Sequence, residues 1–316
     1  GRYEEVYGES PYLVGELGVQ MTLGLQEDFQ VAATAKHFVA YSNNKGAREG
    51  MARVDPQMAP HEVESVHVQP WREVISRAGL LGAMVSYNDY DGEPVEGSHY
   101  WLSERLRDEF GFRGYLVSDS DAVEYLYTKH NVAADMKEAV RQSVMAGLNV
   151  RCTFRSPDSY VLPLRELVEE GAVPMSVIDE RVRDILRVKF LVGLFDSPYQ
   201  TDYAAADDEV DGVENNKVAL RASLESLVLL KNAASDSSFG TDGKALPLNA
   251  AALRRVAVIG PNADYTGYAS LHYGPLGTEN VSVLKGLRTA LEGKAEVVYA
   301  KGCELVDKTW PESEIL

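Results

Sequence analysis

The chain is poor in cysteine and positive charge, and each shortage excludes something. Of 316 residues only two are cysteines, Cys152 and Cys303, far apart in sequence. There is no C-x-x-C and no Cys/His cluster with ligand spacing, and His61 and His67 flank no carboxylate pattern, so neither a disulfide framework nor a transition-metal site is expected. No stretch approaches the ~20 apolar residues that a membrane-crossing helix needs. Lys and Arg number 31 against 48 Asp and Glu, a net charge of −17. That field repels nucleic acid and anionic lipid, so neither is expected as a partner, and a neutral substrate is the easier fit. The sequence lacks G-x-G-x-x-G. Val256 to Asn262 looks like the start of a nucleotide-binding turn, but Pro261 removes a backbone donor that would cradle phosphate, so a plain strand-to-loop junction is the better reading. No signal peptide, internal repeat or low-complexity block is visible. The first residues, from Gly1, read as the middle of a fold.

What remains is ordinary for a globular protein: 45% hydrophobic and 25% charged residues. Apolar runs with β-branched residues recur at 31–39, 82–88, 114–119 and 147–150. Helical patterns fall at 58–78, 101–110 and 135–145. The later strand starts are spaced roughly thirty residues apart, the length of a βα unit, which predicts parallel strands with crossover helices. Each strand ends in polar chemistry: Lys36-His37, then Ser86-Tyr87-Asn88, then Asp119. Such pooling fits a β/α barrel or a doubly wound sheet, with about half the βα units of an eight-stranded barrel. A long amphipathic helix is predicted over 176–194. The acidic segment 196–212 reads as a linker. A second α/β unit follows, with helices at 215–229 and 283–291 and strands at 255–260 and 295–300.

The most informative run is Gly114 to Asp121, an apolar strand that ends abruptly in Ser-Asp-Ser-Asp. Asp121 and Glu124 have capping-box spacing, so Asp121 is expected to cap the next helix. One cap suffices, which leaves Asp119 over as the catalytic candidate at a strand's carboxyl end. Lys36 and Arg48 would keep such a carboxylate ionised, as a nucleophile requires. Lys36 and His37 are adjacent, so a regular strand sends them to opposite faces. Arg48 lies in a loop of small polar residues that suits ligand binding. The turn Asp91-Gly92 accounts for itself, but Tyr87 and Tyr90 before it could form a stacking wall for a sugar.

Together these motifs resemble glycoside hydrolase family 3. Gly1-Arg2-Tyr3 through Pro11-Tyr12 is similar to the family's GR-x-x-E-x-YGEDPYL signature, and Lys36-His37-Phe38 to its KHF. Ala83 to Asn88 is similar to VM-x-SYN, and Val117-Ser118-Asp119 to VSD. Leu227 to Asn232, Leu246-Pro247-Leu248 and Val256 to Asp264 resemble the start of its second domain. The resemblance implies an α/β chain: the C-terminal part of a (β/α)8 TIM-like barrel (1–195), a linker (196–213) and the start of an α/β sandwich domain (214–316). It implies a retaining β-glucosidase or β-xylosidase with Asp119 as nucleophile. Arg2, Lys36, His37 and Arg48 would hold hydroxyls of the terminal sugar, and Tyr87 and Ser120 would line the same subsite. No metal or organic cofactor is implied.

The chain departs from the family pattern in three ways. The opening half of the barrel, with a substrate-gripping Asp, has no counterpart here. No glutamate matches the family's acid/base; Glu304, Glu312 and Glu314 stay unassigned. Ser120 stands where many family glucosidases have Trp, so Ser-Asp-Ser-Asp-Ala-Val is closer to the SDCDAV of family xylosidases. The KHFPGHG loop of the family's N-acetylhexosaminidases is missing after Phe38. The expected substrate is a small oligosaccharide or aryl β-glycoside, and the remainder of the polypeptide is expected to complete barrel and site. Self-association into a homo-oligomer is left open, and the family points to a secreted or periplasmic protein. The competing reading is a sugar-binding protein of the same fold that has lost the acid/base.

Overall fold

The computed structural model describes residues 5–42, 55–199, 204, 209–234, 240–267 and 278–304. The chain divides into two compact units, 1–199 and 200–316.

In the first unit, β1 (Thr34–Phe38) and β2 (Gly82–Val85) lead to a short antiparallel hairpin, β3 (Asp89–Tyr90) with β4 (Glu93–Pro94), and then to β5 (Tyr115–Val117). β1, β2 and β5 form a parallel sheet in that order, and a bridge from Val117 to Val150 carries the next segment alongside β5. Parallel strands need crossovers, and helices supply them. Before β1 comes α1 (Pro11–Leu25), started by Ser10, whose Oγ accepts the Leu13 amide, and by Pro11 in the first turn. Between β1 and β2 come α2 (Pro60–Glu62), a wide-turn segment Val63–Val68 and α3 (Gln69–Ala78). A wide-turn helix Tyr100–Glu109 precedes β5. After it come α4 (Ala122–Thr128), α5 (Met136–Ala146), α6 (Asp158–Glu169) and α7 (Met175–Leu191).

The strands are held close by glycine. A Cβ on Gly114 would lie 2.0 Å from the Leu81 carbonyl oxygen, so any larger residue would push β5 away from β2. The core sits between sheet and helices. Phe38, Ala83, Val85, Leu102, Leu106, Leu116, Val123 and Leu126 are fully buried. The Phe38 ring meets Trp71 and Trp101 edge-on, at 5.0 and 6.1 Å between centroids.

In the second unit, α8 (Val213–Ser226) is followed by β6 (Arg255–Ile259), α9 (Val283–Ala290) and β7 (Glu296–Ala300). β6 and β7 pair in parallel. Ser282 caps α9 by accepting the Lys285 amide at 3.1 Å and donates its own proton to Asp264 at 2.7 Å. Pro261 begins a turn after β6, a strand-to-loop junction.

Most expected elements are found within a few residues of their predicted bounds. Two helices, α1 and α6, were not anticipated: α1 has no clean apolar stripe, and Pro163 interrupts the pattern of α6. The helix expected over 215–229 stops at Ser226. Leu227 turns to extended backbone (ψ 126°), and Leu227 to Leu230 are all more than half exposed. Four consecutive aliphatics suit an extended segment better than one helix face.

Candidate active site

The carboxyl ends of β1, β2 and β5 bring three predicted residues together. His37 comes from β1, Tyr87 from the turn after β2, and Asp119 from the turn after β5. Ser86 locks the first two ends: its amide donates to the Phe38 carbonyl at 2.7 Å and its Oγ accepts the Val39 amide at 3.0 Å. The Lys36–His37 and Phe38–Val39 peptides are cis, and the register of β1 against β2 shifts there. On the other side, the Ser118 amide donates to the Val150 carbonyl at 2.9 Å, and Ser118 Oγ accepts the Cys152 amide at 2.8 Å. Asp119 is therefore held from both flanks.

Asp119 is 8% exposed. Its Oδ1 accepts the Ser120 amide at 2.7 Å. His37 Nε2 stands 3.3 Å from Oδ2, but the approach falls short of hydrogen-bond geometry, and Oδ2 is buried without a hydrogen bond. Burial is the largest single influence and pushes the carboxyl pKa up; His37, the Ser120 amide and the Tyr87 hydroxyl together outweigh it, and the net pKa lies below the ordinary aspartate value. Lys36 donates to Glu5, at 2.7 Å. Arg48 and Arg2 lie outside the described residues.

Tyr87 Oη donates to the Ser120 carbonyl at 2.7 Å, and its own pKa is raised, first by burial and then by the Asp119 charge. Its ring continues a wall of aromatics: His37 meets Tyr41 at 4.8 Å, Tyr41 meets Tyr87 at 5.7 Å, and Tyr87 meets Tyr125 at 5.3 Å. Tyr41 and Tyr125 escaped the sequence reading. Tyr125 is placed by the first turn of α4 after Asp121, which an aromatic search confined to strand ends misses. Ser120 Oγ lies 3.7 Å from Cys152 Sγ, which puts the unanticipated Cys152 beside Ser120.

The capping-box expectation is also corrected. Asp121 sits at φ 59° and makes no side-chain cap on α4. Its Oδ1 accepts the Thr153 hydroxyl at 2.6 Å, and Glu124 forms a buried ion pair with Arg151. The next strand segment competes for both carboxylates, and the sequence of the helix start alone cannot reveal that. Glu96 is 2% exposed and both its carboxylate oxygens lack hydrogen bonds. Burial, and then the charges of Asp119 and Glu124, hold its pKa well above the ordinary glutamate value. Among the described residues no group of His, Cys, Asp and Glu is placed to hold a metal ion.

Fold and site define an α/β protein with a poised carboxylate at the carboxyl ends of parallel strands. The chain belongs to glycosyl hydrolase family 3: residues 1–188 match that family's N terminal domain. It is 32% identical to a β-xylosidase of Formosa agariphila, over 96% of this chain and 43% of the relative. It is 31% identical to a periplasmic β-glucosidase of Salmonella typhimurium, over 97% and 39%. The solved structure of a β-glucosidase from Erythrobacter marinus superposes with a TM-score of 0.85 at 32% identity, covering 97% of this chain and 39% of that one. The chain thus spans about two fifths of the length of the relatives it matches.

Proposed function

We propose that this chain carries the nucleophile side of an exo-acting, retaining β-glycosidase, a β-glucosidase and/or β-xylosidase. Its substrates are terminal, non-reducing sugars of plant-cell-wall-type oligosaccharides or aryl β-glycosides. One observation carries the reading: Asp119 is buried yet ionised, with Oδ1 fixed by an amide and Oδ2 without a hydrogen bond. Oδ2 attacks the anomeric carbon and the leaving-group oxygen departs with a proton from an acid/base carboxyl. Water then attacks the same carbon, gives its proton to that carboxyl, and releases Asp119. The two carboxyl groups of a retaining enzyme stand about 5–5.5 Å apart. We assign the acid/base to no described residue; the remainder of the polypeptide supplies it. His37, Tyr87 and Ser120 line the sugar subsite, and Lys36, Arg2 and Arg48 hold its hydroxyls.

The relatives' greater length supports a domain reading in which 1–195 is the second half of a β/α barrel, 196–213 a linker and 214–316 the start of an α/β sandwich. The named periplasmic relative supports a secreted or periplasmic location. The reading is tested in the active protein that contains this chain. Asp119→Asn should lower turnover of aryl glycosides by more than about a thousandfold. Asp119→Ala should regain turnover with added azide, which attacks the anomeric carbon and leaves an α-glycosyl azide. Activity of Asp119→Asn within about tenfold of the parent would refute the assignment, as would a β-configured azide product.

A further inference from the structure

One buried polar pair takes no part in the chemistry above. His130 Nδ1 lies 2.5 Å from Asp89 Oδ1, with the imidazole 2% exposed and the carboxylate 23%. The two residues come from the segments that carry two rings of the aromatic wall. Asp89 opens β3, just after Tyr87 and Asn88. Its hairpin is fixed at the tip, where Asp55 accepts the Gly92 amide at 2.9 Å, and at the base, where the Asn88 carbonyl accepts the Val95 amide at 3.1 Å. His130 follows α4, and the Tyr125 carbonyl accepts its amide at 2.8 Å and that of Lys129 at 3.0 Å. The Lys129 ammonium lies 3.4 Å from the centre of the Tyr125 ring. Tyr87 and Tyr125 themselves meet at 5.3 Å between centroids. The circuit is closed: the ring contact and the carboxylate–imidazole contact join the same two segments.

We propose that Asp89 and His130 are positioning residues for the sugar subsite: their contact sets the separation of the Tyr87 and Tyr125 rings. Aromatic rings slide over one another at little cost, whereas a buried polar pair is satisfied in few alignments, so the pair rather than the rings fixes the spacing. A shift of Tyr87 also reaches the turn that holds Asp119, because Tyr87 Oη donates to the Ser120 carbonyl at 2.7 Å. Neither residue touches the sugar; both act through the two tyrosines. The proposal rests on the reading of these rings as the sugar subsite beside Asp119, so labelling of the unmutated protein by a 2-fluoro glycoside is checked first. No label at Asp119 overturns that reading whatever the pair does.

The test is a double-mutant cycle in the active protein that contains this chain, assayed well below the Tm. Asp89→Ala and His130→Ala should each lower kcat/KM for an aryl β-glycoside about tenfold, chiefly through a higher KM, and the double variant should lose no more than the worse single one. Asp89→Asn, the milder change, should lower kcat/KM about threefold and carries the test if the alanine variants do not fold. The same substitution of Asp89 made in a Tyr125→Ala background should have less than about a twofold further effect, because the ring that the pair aligns is gone. Losses that multiply in the Tyr125→Ala background overturn the proposal. So do variants with a lower Tm but parental kcat and KM, which would make the pair a contact for stability alone.

Discussion

At the scale of single residues, the site depends on how a carboxylate stays charged in a place that disfavours charge. Burial alone would raise the Asp119 pKa; one amide, one imidazole and one phenol reverse the balance. Glu96 has burial and like charges but no compensating donor, and its pKa is raised. The sign of its effect on stability follows. Its folded pKa lies above the unfolded value, so the stability it contributes is complete below the unfolded carboxyl range and is lost as pH rises through the raised value. Glu96→Gln removes that titration. The Tm of the variant should match the parent in acid and pull ahead as pH rises; parallel Tm-against-pH curves would contradict this. Ser120 belongs to the same scale. An indole in its place would crowd Cys152, so Ser120→Trp should change the ratio of kcat/KM for xyloside over glucoside by about tenfold. An unchanged ratio would remove Ser120 from the sugar pocket.

At the scale of elements, three strand ends and the turns after them position the site, and they hang on one core. Phe38 lies directly after His37 and packs between Trp71 and Trp101. Phe38→Ala should cost about 3–5 kcal/mol by denaturant unfolding. Because the ring supports His37, activity should decline with it; a loss under about 1 kcal/mol would place the core elsewhere. The strands and the polar residues at their ends were legible because alternating apolar runs, glycines and abrupt polar stops are local signals. His37, Tyr87 and Asp119 could be named for that reason. Partners that come from another strand were not legible. Asp121 reads as a helix cap until Thr153 claims its oxygen, and the Glu5 carboxylate that Lys36 meets gave no local signal either. Tyr41 and Tyr125 were missed because contacts between rings depend on packing that spacing does not encode.

At the scale of the whole molecule, large apolar side chains remain in solvent on α1, on α7 and from Leu227 to Leu230: Tyr12, Met21, Phe190 and Leu230 are all at least half exposed. The chain spans about two fifths of the length of its relatives, and we propose that further polypeptide covers these surfaces and brings the acid/base. The net charge of −17 suits a neutral glycoside rather than an anionic one. We propose that Asp119 forms a covalent bond to the sugar. The most direct measurement is peptide mass spectrometry after incubating the active protein with 2-deoxy-2-fluoro glucoside and xyloside bearing good leaving groups, which need no acid assistance. One glycosyl adduct is expected on the peptide that contains Asp119, formed faster with the preferred sugar. An adduct on a different carboxylate, or none with either sugar in a protein that turns over glycosides, would contradict it.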